Sequence, residues 1–469
     1  MGGTCVMRVT HRFVLAIVMA LLIAPAVAAQ DASHHREARR MLERLVTFRS
    51  AAGHGQVPAM TRYIVETLRA GGVPDAEILT IPHEETVALL VRLPGADRAA
   101  MPILFSAHMD VVDARPEDWE RDPFTLTEED GMFFGRGTSD NKAGVASMMS
   151  TILRFTAERR TPRRTLVFAF IGDEETTMAT TRLVVAHEWV RDAELAINTD
   201  AGGGVLDEQG RPLYYMVQGA EKTYADFRLV ATNQGGHSSW PRDDNAIYDL
   251  ARAIARLERH RFPVMANELT RAYFKTIAGV TSGAEGDALR RFGENPQDEE
   301  AADALWRMPE HVGTTRTTCI PTLLDAGHAP NALPQKATAN VNCRLFPGHS
   351  VEEVREGLVR AIGDPTIIVE PPADVRVSPA SEPRDDVMTA IAMSIHRLHP
   401  GIPITPYLES GGTDGLVYRG AGIPTFASSG IFMKASDVFA HGLNERIPVA
   451  GFYQGVDHIH DLAVALGGK

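Results

Sequence analysis

Several short stretches of this 469-residue chain end an apolar run abruptly on groups that can bind a metal or move a proton. The run FSAHMDVVD (105–113) delivers His108 and Asp110, which strand periodicity puts on one side with Met109 on the other. GRGTSDNKAG (135–144) places Asp140 in a glycine-rich turn ahead of a helical pattern, and FAFIGDEETT (168–177) ends on Asp173, Glu174 and Glu175. INTDAGGG (197–204) ends on Asp200, and FAHGLNERI (439–447) carries His441 with Glu445 four residues later. Each has an ordinary alternative: a helix cap for Asp140, a solvated loop for Glu174 and Glu175, a turn for Asp200, a surface or core position for His441. Taken together they favour chemistry, because strand ends and glycine-rich loops of one domain each supply a hard ligand.

Hydrolysis of an amide needs a nucleophile at neutral pH and stabilisation of the oxyanion that forms. Two divalent ions roughly 3.5–4 Å apart, bridged by a carboxylate, supply both. A further carboxylate left free of metal can take the proton of water and pass it to the departing amine. The adjacent Glu174 and Glu175 can divide the tasks of base and ligand. Imidazole with carboxylate suits Zn2+, with Co2+ or Mn2+ possible. Cysteine does not enter: only Cys5, Cys319 and Cys343 occur, too few for a disulfide framework and too scattered for a thiolate site.

The elements around these residues describe an α/β domain. Strand patterns at EILTI, TVALLVRL, MPILFSAHMD, RTLVFAFIGD and LAINTD alternate with helical ones at TRYIVETLRAGG, GVASMMSTILRF and TTRLVVAHEWV. A largely parallel sheet follows, with function expected at the carboxyl ends of its strands. From residue 214 the texture changes to a smaller α+β domain, expected over 214–376 with a charged helical insertion at 261–312. The catalytic domain is expected over 30–213 and again over 377–469, after a proline-rich return at 369–383. Residues 13–29, apolar and ending in small side chains behind Arg8 and Arg12, have the layout of a secretory signal (1–29), the alternative being an uncleaved membrane anchor. A formal charge of −13 argues against nucleic acid or an anionic membrane as partner.

In this order, SAHMDVV, GRGTSDNKAG, GDEET, NTDAGG, GGHSSWP and HGLNERI resemble the M20 family of co-catalytic zinc metallopeptidases, which includes carboxypeptidases, dipeptidases and N-acyl amino acid hydrolases. The resemblance implies that two Zn2+ ions are held, one by His108, Asp140 and Asp200 and the other by Asp140, Glu175 and His441. Glu174 would be the general acid/base and Asp110 a support behind His108. It further implies that His237 polarises the scissile carbonyl, that Asn331 and Arg344 grip substrate, and that Gly411, Gly412 and Thr413 meet a substrate carboxylate with backbone donors. The substrate would be a small peptide or N-acyl amino acid, cleaved next to a free carboxylate by a secreted or periplasmic enzyme. The smaller domain would act as a lid, and possibly as a homodimer surface. The alternatives are an aminopeptidase or dipeptidase that needs a free N-terminus, and a peptide-binding protein without catalysis.

Overall fold

The computed structural model describes residues 33–468 apart from 374 and 376; the expected signal segment lies outside them. The main sheet has ten strands, and its centre is the parallel set Leu166–Ile171, Ile103–His108, Leu195–Asn198 and Thr425–Ala427. All six residues of Ile103–His108 and of Leu166–Ile171 are buried, as expected of strands covered on both faces. Successive side chains divide between two cores. Phe105 and Phe168 pack with Met148, Ile152 and Ile459 from the helices Lys142–Ala157 and Val449–Gly467. Leu104 and Val167 pack on the other side with Val184 and Tyr418. Burying one such aromatic side chain contributes roughly 2–3 kcal/mol, so the layers are held chiefly by this apolar contact.

Strand register decides where the polar ends emerge. His108 pairs with Ile171 and Ser106 with Asn198, so the loops carrying Glu174, Glu175 and Asp200 leave the sheet beside His108. This is the edge at which parallel α/β sheets bind ligands.

The smaller domain is an antiparallel sheet ordered Thr318–Ala326, Lys336–Leu345, Thr223–Thr232, Ile368–Glu370. The helices Ala246–Arg259 and Val351–Ile362 cover one face through Leu250, Leu358, Phe227 and Val341. Two features differ from the sequence reading. The strand Pro212–Glu221 belongs to the main sheet, so the crossing falls after Glu221 rather than at residue 214. The insertion is helical, as its pattern indicates, but Tyr273 and Phe274 of its helix Glu268–Ala278 pack with Tyr407 of the main sheet. Its apolar stripe is therefore covered by the main-sheet domain, a partner that lies far away in sequence.

Cys319 and Cys343, read from the sequence as too few for a disulfide framework, form a single disulfide. Antiparallel register makes them direct partners on neighbouring strands, which their separation of 24 residues conceals. Closing a loop of that length stabilises a fold by about 3 kcal/mol in the chain-entropy account. Reduction is therefore expected to lower the melting temperature of the smaller domain in calorimetry with and without reductant. An unchanged profile for protein shown to be reduced would overturn this.

Candidate active site

At the carboxyl edge of the sheet the imidazole of His108 is wholly buried. Its Nδ1–H donates to the carbonyl of Asp110 at 2.9 Å, which turns Nε2 toward Asp140 Oδ1 at 2.8 Å and Asp200 Oδ1 at 3.2 Å. The Asp110 carboxylate has another task, accepting the amides of Glu174 at 3.1 Å and Glu175 at 3.0 Å. His441 approaches from the far end of the chain, its Nε2 lying 3.0 Å from Asp140 Oδ2 and 3.1 Å from Glu175 Oε2. Asp140 thus turns one oxygen to each histidine.

The loops that carry these groups are tied from beneath. Glu445, fully buried, accepts the amides of Gly137 at 2.9 Å, Ser139 at 2.7 Å and Asp140 at 3.0 Å. Arg136 donates to Glu445 at 2.7 Å and to the carbonyls of His441 and Gly442 at 3.3 and 3.2 Å. One buried ion pair therefore joins the Asp140 turn to the His441 segment across more than three hundred residues of sequence. Asp173 instead caps the helix Ala179–Ala186, accepting the amides of Ala179 and Thr180 at 2.7 and 2.9 Å. Asp140 is not a cap: Asn141 occupies that position and the acid faces the histidines.

The electrostatics fit a cation centre. Among the described residues no lysine or arginine pairs with Asp140, Glu174, Glu175 or Asp200. Against the cost of burial, hydrogen bonds from His108 and His441 hold Asp140 well below the usual carboxylate range. Burial, with the neighbouring Asp140 charge, pushes Asp200 up to about 7, and burial raises Glu174 well above its ordinary value. Hydrogen bonds to Asp140 and Glu175 push His441 up to about 10. Crowded carboxylates relieved only by imidazole are the environment that a divalent ion neutralises. His108, Asp140 and Asp200 bring one ligand atom each within 4.8 Å of one another, as do Asp140, Glu175 and His441. A further grouping, His108 with Glu174 and Glu175, meets the same distance, so Glu174 also stands within reach of an ion.

Asp140, Glu174, Glu175, Asp200 and His441 line a cavity of about 620 Å3, with His108 buried behind them and an apolar stretch of wall made by Tyr214, Met216, Ile431, Met433 and Val438. Gly411, Gly412 and Thr413 border it. Two of their amides are already engaged: Gly411 N–H donates to Glu409 at 3.1 Å and Thr413 N–H to Glu221 at 2.6 Å. The expectation of three free backbone donors therefore reduces to Gly412. His237, Asn331 and Arg344 do not line the cavity. The segment Gly236–His237 pairs with Ala332–Leu333, and Ser238 N–H donates to the Asn331 carbonyl, so two of the three share one ribbon of the smaller domain. Arg344 lies over the Tyr224 ring at 4.8 Å. A cavity of about 640 Å3 beside Trp306, Ile320 and Pro321 contains none of the site groups. The sequence reading missed Glu221, Glu409, and Asp414, which Thr181 Oγ1 contacts from the helix Ala179–Ala186. Only the position of Glu409 and Asp414 beside the GGT loop signalled the latter two.

Known proteins resemble the chain over most of its length. The model of peptidase family M20/M25/M40 matches residues 104–465. The chain is 28% identical over 394 residues to human N-fatty-acyl-amino acid synthase/hydrolase PM20D1, spanning 81% of this chain and 78% of the relative. It is 27% identical over 391 residues to the probable carboxypeptidase S-like 2 of Dictyostelium discoideum, spanning 80% and 73%. Among solved structures, the M20 family metallo-carboxypeptidase Sso-CP2 of Sulfolobus solfataricus superposes with a TM-score of 0.67 at 20% identity, covering 91% of this chain and 98% of the other.

The titration shifts dictate a pH trend for the ion-free protein. Asp200 keeps its proton to about pH 7 when folded and loses it near 3.8 when unfolded, so stability falls as pH rises between those values. His441 contributes stability that is complete below its ordinary value of 6.5 and is lost as pH rises through about 10. Both slopes have the same sign. Because buried His458 and His460, held near 3, pull the other way, the Asp200 contribution is read as a difference: in chelator-treated protein the melting temperature of Asp200→Asn relative to wild type is expected to rise from about pH 4 to about pH 7, and a constant difference would overturn this.

Proposed function

The chain belongs to peptidase family M20/M25/M40 and is an amide-bond hydrolase, and from that premise we propose that it is a secreted two-zinc enzyme cleaving N-acyl amino acids or small peptides beside a free carboxylate. The observation that carries the reading is Asp140, one oxygen turned to His108 and the other to His441. His108, Asp140 and Asp200 would hold one ion and Asp140, Glu175 and His441 the other; Co2+ or Mn2+ could replace zinc. When bound, such ions supply Lewis acidity and water acidified to near neutrality.

The remaining steps belong to the chain's own residues. Asp110 fixes the backbone of both glutamates, so Glu174 is presented at a set position above His108. Its raised proton affinity lets it accept a proton from water and return it to the departing amine at neutral pH. The apolar wall of Tyr214, Met216, Ile431 and Met433 excludes water and suits an apolar acyl group, in keeping with the name of the human relative. His237, Asn331 and Arg344 would reach substrate by movement of the lid or from a second subunit, and a guanidinium can hold a carboxylate by two parallel hydrogen bonds. The disulfide suits an oxidising compartment, and no helix among the described residues is long and apolar enough to cross a membrane. One observation favours the rival need for a free N-terminus: the cavity wall carries Glu409, an acceptor suited to an ammonium group.

Glu174→Gln is expected to keep two metal ions per chain by elemental analysis while turnover falls about 100- to 10,000-fold. Full turnover by the metal-loaded variant would reject the role. Arg344→Ala is expected to raise KM about tenfold or more for substrates with a free carboxylate, the loss of a charged hydrogen-bonded pair. Equal loss on carboxyl-blocked substrates, or strict dependence on a free amine, would favour the rival reading.

A further inference from the structure

The loop of residues 410–413 borders the catalytic cavity, yet it is held from behind by two carboxylates. Glu409 Oε1 accepts the amides of Ser410 at 2.8 Å and Gly411 at 3.1 Å, and Glu409 Oε2 accepts the Tyr407 hydroxyl at 2.9 Å. Glu221 Oε2 accepts the amide of Thr413 at 2.6 Å. Among the described residues the Gly412 N–H has no protein acceptor, so the two acids leave one donor of this loop free.

Glu221 occupies an unusual position. It is wholly buried, as is its ion-pair partner Arg419. It is also the last residue of the strand Pro212–Glu221, immediately before the chain enters the smaller domain at Thr223–Thr232. The same carboxylate receives Ser378 Oγ at 3.3 Å, where the chain has returned from that domain, and Ser378 N–H donates to Thr223 Oγ1 at 3.2 Å. Arg419 completes the cluster, donating to Ser378 Oγ at 3.3 Å and to the Thr425 carbonyl at 3.1 Å. One side chain therefore touches the outgoing crossing, the returning crossing and the cavity loop. An ion pair serving stability alone needs none of the bond to Thr413.

We propose that Glu221 is a positioning residue that couples both domain crossings to the loop of residues 411–413 and presents the Gly412 N–H to the carboxylate end of the substrate. The proposal rests on the reading of this cavity as the substrate site. A carboxylate is required because every neighbour is a donor. In Glu221→Gln an amide N–H must face either Arg419 or Thr413, and one bond is lost.

The test compares wild-type protein with Glu221→Gln, both loaded with zinc, by kinetics and by amide hydrogen exchange. The variant is expected to bind two zinc ions, raise KM about tenfold for N-acyl amino acids with a free carboxylate and change kcat less than about threefold. KM for the carboxyl-amidated analogue should stay within about twofold. Peptides covering residues 409–416 should exchange faster while the main-sheet strands keep wild-type protection. Equal KM changes on both substrates, or unchanged exchange in 409–416, would overturn the proposal. If wild-type protein hydrolyses neither substrate, the functional reading fails, and the exchange data alone still decide the coupling. Should Glu221→Gln not fold, Ser378→Ala removes the returning crossing's side-chain bonds to Glu221 and Arg419 while leaving the Glu221 bond to Thr413, and a smaller shift of the same kind, about two- to threefold in KM, is expected. Wild-type exchange and KM in that variant would count against the coupling.

Discussion

The interaction on which the rest depends is the repulsion among carboxylates gathered in a poorly hydrated place. Asp140, Glu174, Glu175 and Asp200 converge on two imidazoles, with no lysine or arginine paired to them among the described residues. Left to relax, such groups would separate or take up protons. The surrounding fold prevents separation. Glu445 with Arg136 ties the Asp140 turn to the His441 segment, and Asp110 grips the two glutamate amides. Breaking a buried pair of that kind costs about 3–5 kcal/mol because its partner charge is stranded, so these ties are strong enough to hold an arrangement that opposes itself.

What could be read from the sequence follows from this. His108, Glu174, Glu175 and Asp200 interrupt apolar strands, and a polar group that ends a buried strand has few ordinary reasons to be there. Parallel strands then bring such ends to one edge without further information, which is why a largely parallel sheet and its cluster could be expected together. Asp110 is legible as a supporter but not in its full manner of support: its carbonyl takes the His108 proton at 2.9 Å, while its carboxylate, 3.5 Å from the same nitrogen, also accepts two amides.

Other features depend on contacts that no local pattern encodes. Cys319 and Cys343 become partners through antiparallel register, and Glu221 gains its meaning from Thr413, Ser378 and Arg419, each distant in sequence. The motif carrying His237 was legible as a motif, but its distance from the cavity depends on the placement of a whole domain. The same holds for Gly411 and Thr413, whose amides look available in the sequence and are occupied in the fold.

The docking of the helical insertion on the main sheet separates two kinds of change. Tyr273 stands 6.3 Å from Tyr407, and Tyr214 and Met216 pack against the same cluster while facing the cavity. The apolar wall of the cavity is thus backed by a segment that supplies none of the acids or histidines that line it. Lengthening, shortening or repacking that segment would reshape the space beside the clustered carboxylates while each of them kept its place. Selectivity and chemistry can in this way diverge independently, one carried by a replaceable buttress and the other by the strand ends.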